Sequence, residues 1–339
     1  MNKKILSFTT ISVLVFSFLV SFHQANALTL TPIRFSISGD PGQTLVEQIT
    51  LINEKDKDNT FYPSFANFEA EGESGTPVFK EGTEGLSTWI TAPKSVDLPA
   101  GTSKTISVEI KIPQTAAPGG YFAAAFFGDV PPNSAGGGEV SISTKIGTLI
   151  LLRVNGDIKE QANILEFDTL NSQHFFTALP VGMFYRLQNG GGDRARPKGD
   201  VSIRNIFGIK AASIDANTVQ GNVLPSQIRK FSIAWAKQNT NLDEKIPSGF
   251  FSQVKYQWHN FAFGRFSANL AVTYGSTNAE LQAKTTFWVL PWQLLIVIII
   301  LGILGLFILM TLIKSYNRFI IQKAKESISQ NMGGGASGN

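Results

Sequence analysis

The stretch TISVEIKIPQTAAPGGYFAAAFFG, residues 105–128, decides the fold. In its first half Ile106, Val108, Ile110 and Ile112 alternate with Ser107, Glu109 and Lys111. A period of two turns one set of side chains toward a core and the other toward water, the pattern of a half-buried β-strand. Pro113 then ends the strand, because proline has no N–H to give a ladder. Gly119 and Gly120 permit a turn, and the chain re-enters as an aromatic and alanine-rich strand over 121–127.

The same grammar extends in both directions. Phe266, Ala268, Leu270, Val272 and Tyr274 alternate with Ser267, Asn269, Ala271 and Thr273. Turn signals separate such runs at short intervals, as in Asp40-Pro41-Gly42, Leu98-Pro99-Ala100-Gly101 and Asn189-Gly190-Gly191-Gly192-Asp193. Amphipathic helical patterns are scarce between residues 28 and 287, so the fold class expected is all-β, two tandem antiparallel β-sandwiches. The first is placed at 28–155, with strands over 28–37, 44–52, 60–68, 105–112, 121–127 and 142–154 and a Pro- and Gly-rich loop, PPNSAGGG, at 131–138. The second is placed at 156–287, its clearest strands being 181–187, 199–206, 230–235 and 265–274.

The two ends of the chain read differently from its middle. LLIVIIILGILGLFILMTLI runs from Leu294 to Ile313 without a charge, and at about 1.5 Å per residue it matches a hydrocarbon core of about 30 Å. Pro291 and Trp292 precede it at the interface; Lys314, Arg318, Lys323 and Lys325 follow it, the basic mark of a cytoplasmic end. A transmembrane helix is therefore expected at 288–313, with a short basic tail at 314–339 and a single-pass, type I arrangement in the cell membrane. Only residues 288–293 separate it from the second sandwich, which places that domain near the bilayer and the first domain farther out. Residues 316–329 have the makings of a short amphipathic helix, and the tail reads as stop-transfer before lipid binding. Gly302 and Gly305 are too closely spaced for a small-xxx-small dimer face.

At the other end Lys3 and Lys4, the apolar run 5–22 and Ala25-Asn26-Ala27 read as a signal peptide over 1–27, an uncleaved signal anchor being the competing reading. Of 29 basic and 25 acidic residues, two lysines fall in this leader, and four basic residues with Glu326 fall in the tail. The exported part is thus nearly neutral, and the basic balance argues for membrane orientation and against nucleic-acid binding. Cysteine is absent, so disulfides, a thiol nucleophile and a lipidated cysteine are all excluded.

Catalytic signatures are missing. His23 lies in the leader, and His174 and His259 have no second histidine at ligand spacing. No Gly-x-Ser-x-Gly elbow occurs. Glu54-Lys55-Asp56-Lys57-Asp58-Asn59 lacks the turn glycine and distal glutamate of a calcium loop and reads as a charged hairpin tip. Gly190-Gly191-Gly192 lacks the Gly-Lys-Ser/Thr of a phosphate loop and reads as a flexible hairpin. Arg194, Arg196 and Lys198 beyond it read either as a solvated loop or as a contact for an anionic wall polymer. No cofactor, metal or enzymatic activity is expected; paired carboxylates in a cleft are the only catalytic arrangement left open.

Pro41-Gly42, Asn53, Trp89-Ile90, Leu98-Pro99-Ala100-Gly101, Ile112-Pro113 and Pro118-Gly119-Gly120-Tyr121 together resemble the peptidoglycan-binding N-terminal domain of the WxL-interacting cell-surface proteins of bacteria. Pro197-Lys198-Gly199, Leu224-Pro225-Ser226, Trp235, Phe263-Gly264 and Trp288 are similar to the second domain of the same architecture. The resemblance implies immunoglobulin-like domains and a wall-facing scaffold whose partners are peptidoglycan or another wall polymer, and a surface protein. The matching positions are turns and core sites, so no glycan-contacting residue carries over from it. Tyr62, Trp89, Tyr121 and Trp258 are candidate glycan platforms by residue type alone, with core fill as the plainer role. The alternative function is an adhesin or assembly chaperone whose sheet edge pairs with a partner's strand.

Overall fold

The computed structural model describes residues 28–131, 145–237 and 247–333, with side chains described as far as residue 325. The expected leader, most of the PPNSAGGG loop and residues 334–339 lie outside them. The chain forms two compact units, one of residues up to 163 together with 188–196 and 222–229, the other of 164–187, 197–221 and everything from 230 onward. The architecture is two immunoglobulin-like β-sandwiches followed by one long apolar helix.

In the first unit, one sheet runs in the order β1 (Leu28–Thr31), β3 (Thr44–Asn53), β8 (Ser103–Lys111), β6 (Ile90–Thr91). The other runs β2 (Arg34–Gly39), β10 (Lys145–Val154), β9 (Gly119–Gly128), β4 (Asn59–Glu71), β5 (Thr76–Lys80), with β7 (Val96–Leu98) pairing to β4. The alternating residues Ile106, Val108 and Ile110 face Phe127, Ile150 and Leu152 in one core. Each such side chain stabilises the fold by roughly 1.5–3 kcal/mol on burial, and β8 is a strand because that gain requires period two. Tyr121, at the start of β9, donates its hydroxyl to the carbonyl of Ala117 at 3.0 Å, a tyrosine corner of the kind that closes immunoglobulin-like sandwiches.

The first strand changes sheets. β1 pairs antiparallel with β3, and two residues later β2 pairs parallel with β10. Leu30 and Phe35 are both buried in the common core, so each half of the strand contributes to a different wall of the same sandwich.

The second unit has a sheet of β11 (Ala162–Thr169), β13 (Val181–Asn189) and β16 (Ile228–Trp235). Its other sheet runs β12 (Phe175–Phe176), β18 (Ala279–Val289), β17 (Gly264–Tyr274), β14 (Lys198–Asn205), β15 (Lys210–Asp215). Aromatic rings join the two: Trp235 meets Phe266 edge-on at 4.8 Å and Phe287 at 6.1 Å. Helix α1 (Phe250–His259) interrupts this β domain, contrary to the expectation of strands and turns alone. Its inner positions are glutamines, Gln253 and Gln257, which bond the side chain of Gln293, so it carries no apolar core stripe for a periodicity reading to find.

Helix α2 (Trp292–Gly333) follows β18 after two residues. Over Trp292–Lys325 it is long and apolar enough to cross a membrane. Residues 316–329 do not form a separate surface helix; they continue α2 without a break.

Gly199 shows how tightly β14 and β17 are laid together. Its φ is +146°, and a Cβ there would sit 2.9 Å from the Cα of Val272. Gly199→Ala is expected to cost about 1–3 kcal/mol by overpacking, seen as a lower urea midpoint for the detergent-solubilised chain; an unchanged midpoint contradicts this reading of the glycine.

Candidate functional site

Ten residues of β10 pair with β9, from Lys145↔Gly128 to Val154↔Gly119. On its other side β10 pairs with β2 only from Leu149 onward, through Leu149↔Arg34. The cause is the sheet change: the residues that would continue β2 backward belong to β1, in the opposite sheet. The amide of Leu149 donates to the carbonyl of Ile33 at 3.0 Å, so odd-numbered residues of β10 aim their backbone groups at the β2 side. Lys145 and Gly147 therefore present N–H and C=O groups along an edge that has no ladder partner among the described residues. Two apolar side chains flank it, Ile33 at 79% exposure and Ile146 at 36%, whereas Thr148, Ile150 and Leu152 farther along are buried. An edge of unpaired backbone groups between exposed apolar side chains is a template for an added strand.

Part of the outer face of the same sheet is covered, while Phe79 of β5 stays exposed. Leu224 packs on Phe68 and Leu151 in a second small apolar cluster. The loop 189–196 is tied down beside it: Gly120 N–H donates to Gly192 O at 2.9 Å, and Gly192 N–H to Lys159 O at 2.9 Å. Backbone hydrogen bonds hold this loop against the sheet, with Gly191 and Asp193 buried and Gly190 and Gly192 exposed. Gly191 is buried, and a Cβ on it would lie 2.7 Å from Lys159 O; the glycines serve close backbone approach. Asn189 is buried and organises the turn, its amide donating to Asp193 O and Val223 O while its oxygen accepts from Gly191 N–H.

Asp193 beneath this loop accepts from Arg153 at 3.0 Å, and Arg153 also reaches Glu160 at 3.2 Å. The Arg194 side chain is only 17% exposed and lies 3.5 Å from Asp193. Burial lowers the Arg194 pKa; Asp193 opposes that shift, while Arg153, Arg34 and Arg196 add to it. Arg194 and Arg196 thus stand in a packed arginine group built around Asp193 and Glu160. Lys198 is the exposed first residue of β14, in the second unit.

The remaining candidates fall apart in space. Trp89 and Tyr121 meet in a tilted pair, ring centroids 4.6 Å apart, against the main core. Tyr62 lines a separate open cleft of about 470 Å³ with Asp58, Asn59, Asp97 and Asp129. Trp258 is 65% exposed on α1. Of the anchor residues, Trp292 begins α2, Leu294 is buried at 3% exposure, and Ile313, Lys314 and Arg318 are exposed on the continuing helix. Among the described residues no group of three histidine, aspartate or glutamate side chains is placed to hold a metal ion. Ile33, Ile146, Arg34 and Arg153 were not visible as site residues in the sequence. No alternation marks the edge, because 149–152 is apolar at every position.

No family model matches this chain, and no curated protein sequence matches it. Solved structures similar to it include the class 5 fimbriae chaperone CfaA, at 15% identity and TM-score 0.37, covering 78% of this chain and 100% of that one. A chaperone-tip adhesin complex of CFA/I fimbriae biogenesis is 14% identical with TM-score 0.37, covering 78% and 99%. The CsuC-CsuE pre-assembly complex from Csu pili of Acinetobacter baumannii is 12% identical with TM-score 0.36, covering 76% and 97%. At these values the likeness assigns no function.

Asp193→Asn removes the charge that Arg153 and Arg194 share. It is expected to cost about 1–3 kcal/mol and to open 188–196 to protease in the folded full chain. Cleavage there at the wild-type rate would show that the carboxylate does not hold the loop.

Proposed function

We propose that this protein is a non-catalytic, membrane-tethered surface protein that takes up a partner protein by adding the partner's strand to the open edge of β10. The single observation behind this is the one-sided pairing of Lys145 to Thr148, flanked by exposed Ile33 and Ile146. An added strand would satisfy the edge's backbone groups and cover both isoleucines, so main-chain hydrogen bonds supply affinity and alternate side chains supply specificity. Helix α2 is the tether, and the cations that follow Ile313 orient it with the two sandwiches outside the cell. This is the chaperone or adhesin class of function, in which the chain binds and performs no chemistry.

A second reading rests on the cleft at Tyr62. An aromatic side chain beside an amide and three carboxylate acceptors is a set that suits the hydroxyls of a glycan, and this cleft brings it together. It supports binding of peptidoglycan by the first sandwich, as the resemblance to WxL-interacting proteins implies.

The two readings separate experimentally. A photo-crosslinking residue at position 33 in cells is expected to trap one discrete protein, to keep trapping it after enzymatic digestion of the wall, and to lose it in the Ile146→Asp background. An adduct indifferent to Ile146→Asp removes strand addition. For the second reading, the full chain in detergent should sediment with isolated peptidoglycan and Tyr62→Ala should weaken this several-fold; sedimentation no greater than that of a control sandwich removes it.

A further inference from the structure

One end of the second sandwich is apolar where a water-soluble domain would be polar. The register identifies that end: β17 begins at Gly264 opposite Val289, the last residue of β18, and α2 starts three residues later at Trp292. β14 ends at Asn205 opposite Phe266, so the hairpin 206–209 projects beyond that level, alongside Gly264 and Val289. Neighbouring strands lie about 4.8 Å apart, which puts the hairpin tip within roughly 10 Å, two strand spacings, of the strand that feeds α2. At this tip Ile206 is 64% exposed, Phe207 79% and Ile209 64%. Hairpin tips in contact with water carry Asn, Asp or Gly; this one carries three large apolar side chains around Gly208.

Helix α1 reaches the same end. Leu294 N–H donates to Gln257 Oε1 at 3.0 Å, and the Phe250 ring meets Trp292 at 6.3 Å, so α1 lies against the first turn of α2. Its opposite face holds Phe251, 82% exposed, and Trp258, 65% exposed, at i and i+7 with Lys255 between them at i+4. Phe263, 54% exposed, follows just before β17. Cations border these residues: Arg204 and Lys210 on either side of the hairpin tip, Lys255 on α1, and Arg265, all exposed. Residues 204–210, 250–266 and 286–293 contain no carboxylate.

We infer that this end of the second sandwich is a membrane-embedded base, in which the 206–209 tip and the outer face of α1 insert at the headgroup boundary of an anionic phospholipid leaflet. The occupant is lipid because the apolar surface adjoins the start of a helix that is itself long and apolar enough to span a bilayer, and because the charged side chains of 204–210, 250–266 and 286–293 are basic. Aromatic side chains with a cationic rim are the composition that settles at the level of lipid headgroups. The inference rests on α2 crossing the membrane, and its test separates the two claims.

The absence of cysteine makes single-cysteine spin labelling of the full chain direct. Labels would be placed at Phe207→Cys and Phe251→Cys, at Leu304→Cys in α2, and at Val46→Cys as an aqueous reference, all exposed positions whose substitution leaves the cores intact. In vesicles of mixed neutral and anionic phosphatidyl lipids, the 304 label should be accessible to oxygen and closed to a water-soluble nickel reagent. The 207 and 251 labels should be shielded from nickel several-fold relative to 46. If 304 lies in lipid while 207 and 251 are as open as 46, the embedded base is overturned and the tether stands. If 304 is open to nickel, both fall. In purely neutral vesicles the shielding at 207, between Arg204 and Lys210, should decrease; no decrease overturns the anionic preference.

Discussion

A chain of two sandwiches without a single cysteine has no covalent staple, so its loops are held down by buried polar side chains. Three asparagines carry much of this. Asn53 donates to Lys57 O and Leu98 O and accepts from Lys55 N–H, fixing the charged tip between β3 and β4. Asn189 does the same for the glycine loop. Asn217 donates to Pro197 O and Gly221 O and accepts from Gly221 N–H. An amide side chain offers donors and acceptor at once, so one residue satisfies several backbone groups that burial would otherwise leave unpaired. The apolar cores provide the bulk of the driving force, and these amides determine which loop conformation that force favours.

The switched first strand connects this economy to the proposed binding. By sending β1 to one wall and β2 to the other, the chain secures both sheets with the twelve residues 28–39 and leaves Lys145 and Gly147 of β10 without a ladder partner on that side among the described residues. The other side of that strand is fully paired, and its outer face is closed at Leu151 and Arg153 by Leu224 and the arginine-clamped loop. A partner strand would therefore meet a rigid, pre-organised edge, which lowers the ordering cost of association.

The strands were legible where alternation was strong and the inward residues large, as in 106–112 and 266–274. β18 also alternates, but Ala283 and Thr285 occupy inward positions and blur its apolar set. The role of the glycine loop is hidden because glycine means freedom in one setting and close approach in another, and the choice depends on Lys159 and Gly120, far away in the chain. The clamp under it joins Arg153 to Asp193 across forty residues, a pairing that local pattern does not encode. The open edge was invisible for a related reason, since it arises from where the first strand goes and not from the composition of β10. Tyr62 stands out in the sequence by its ring alone; its carboxylate neighbours come from the β3–β4 loop, strand β7 and the residue after β9.

The junction of β18 and α2 has a mechanical meaning. Val289 and Trp292 are separated by Leu290 and Pro291, too few residues to act as a slack cord. Tension applied between a captured partner and the bilayer would enter the second sandwich along β18, whose eleven residues pair with β17 throughout. Pulled along its own length, such a ladder is loaded in shear, with all its hydrogen bonds sharing the force, whereas a sideways pull would break them one after another. On the proposed reading, the longest antiparallel pairing among the described residues lies where load would pass from the domain to α2.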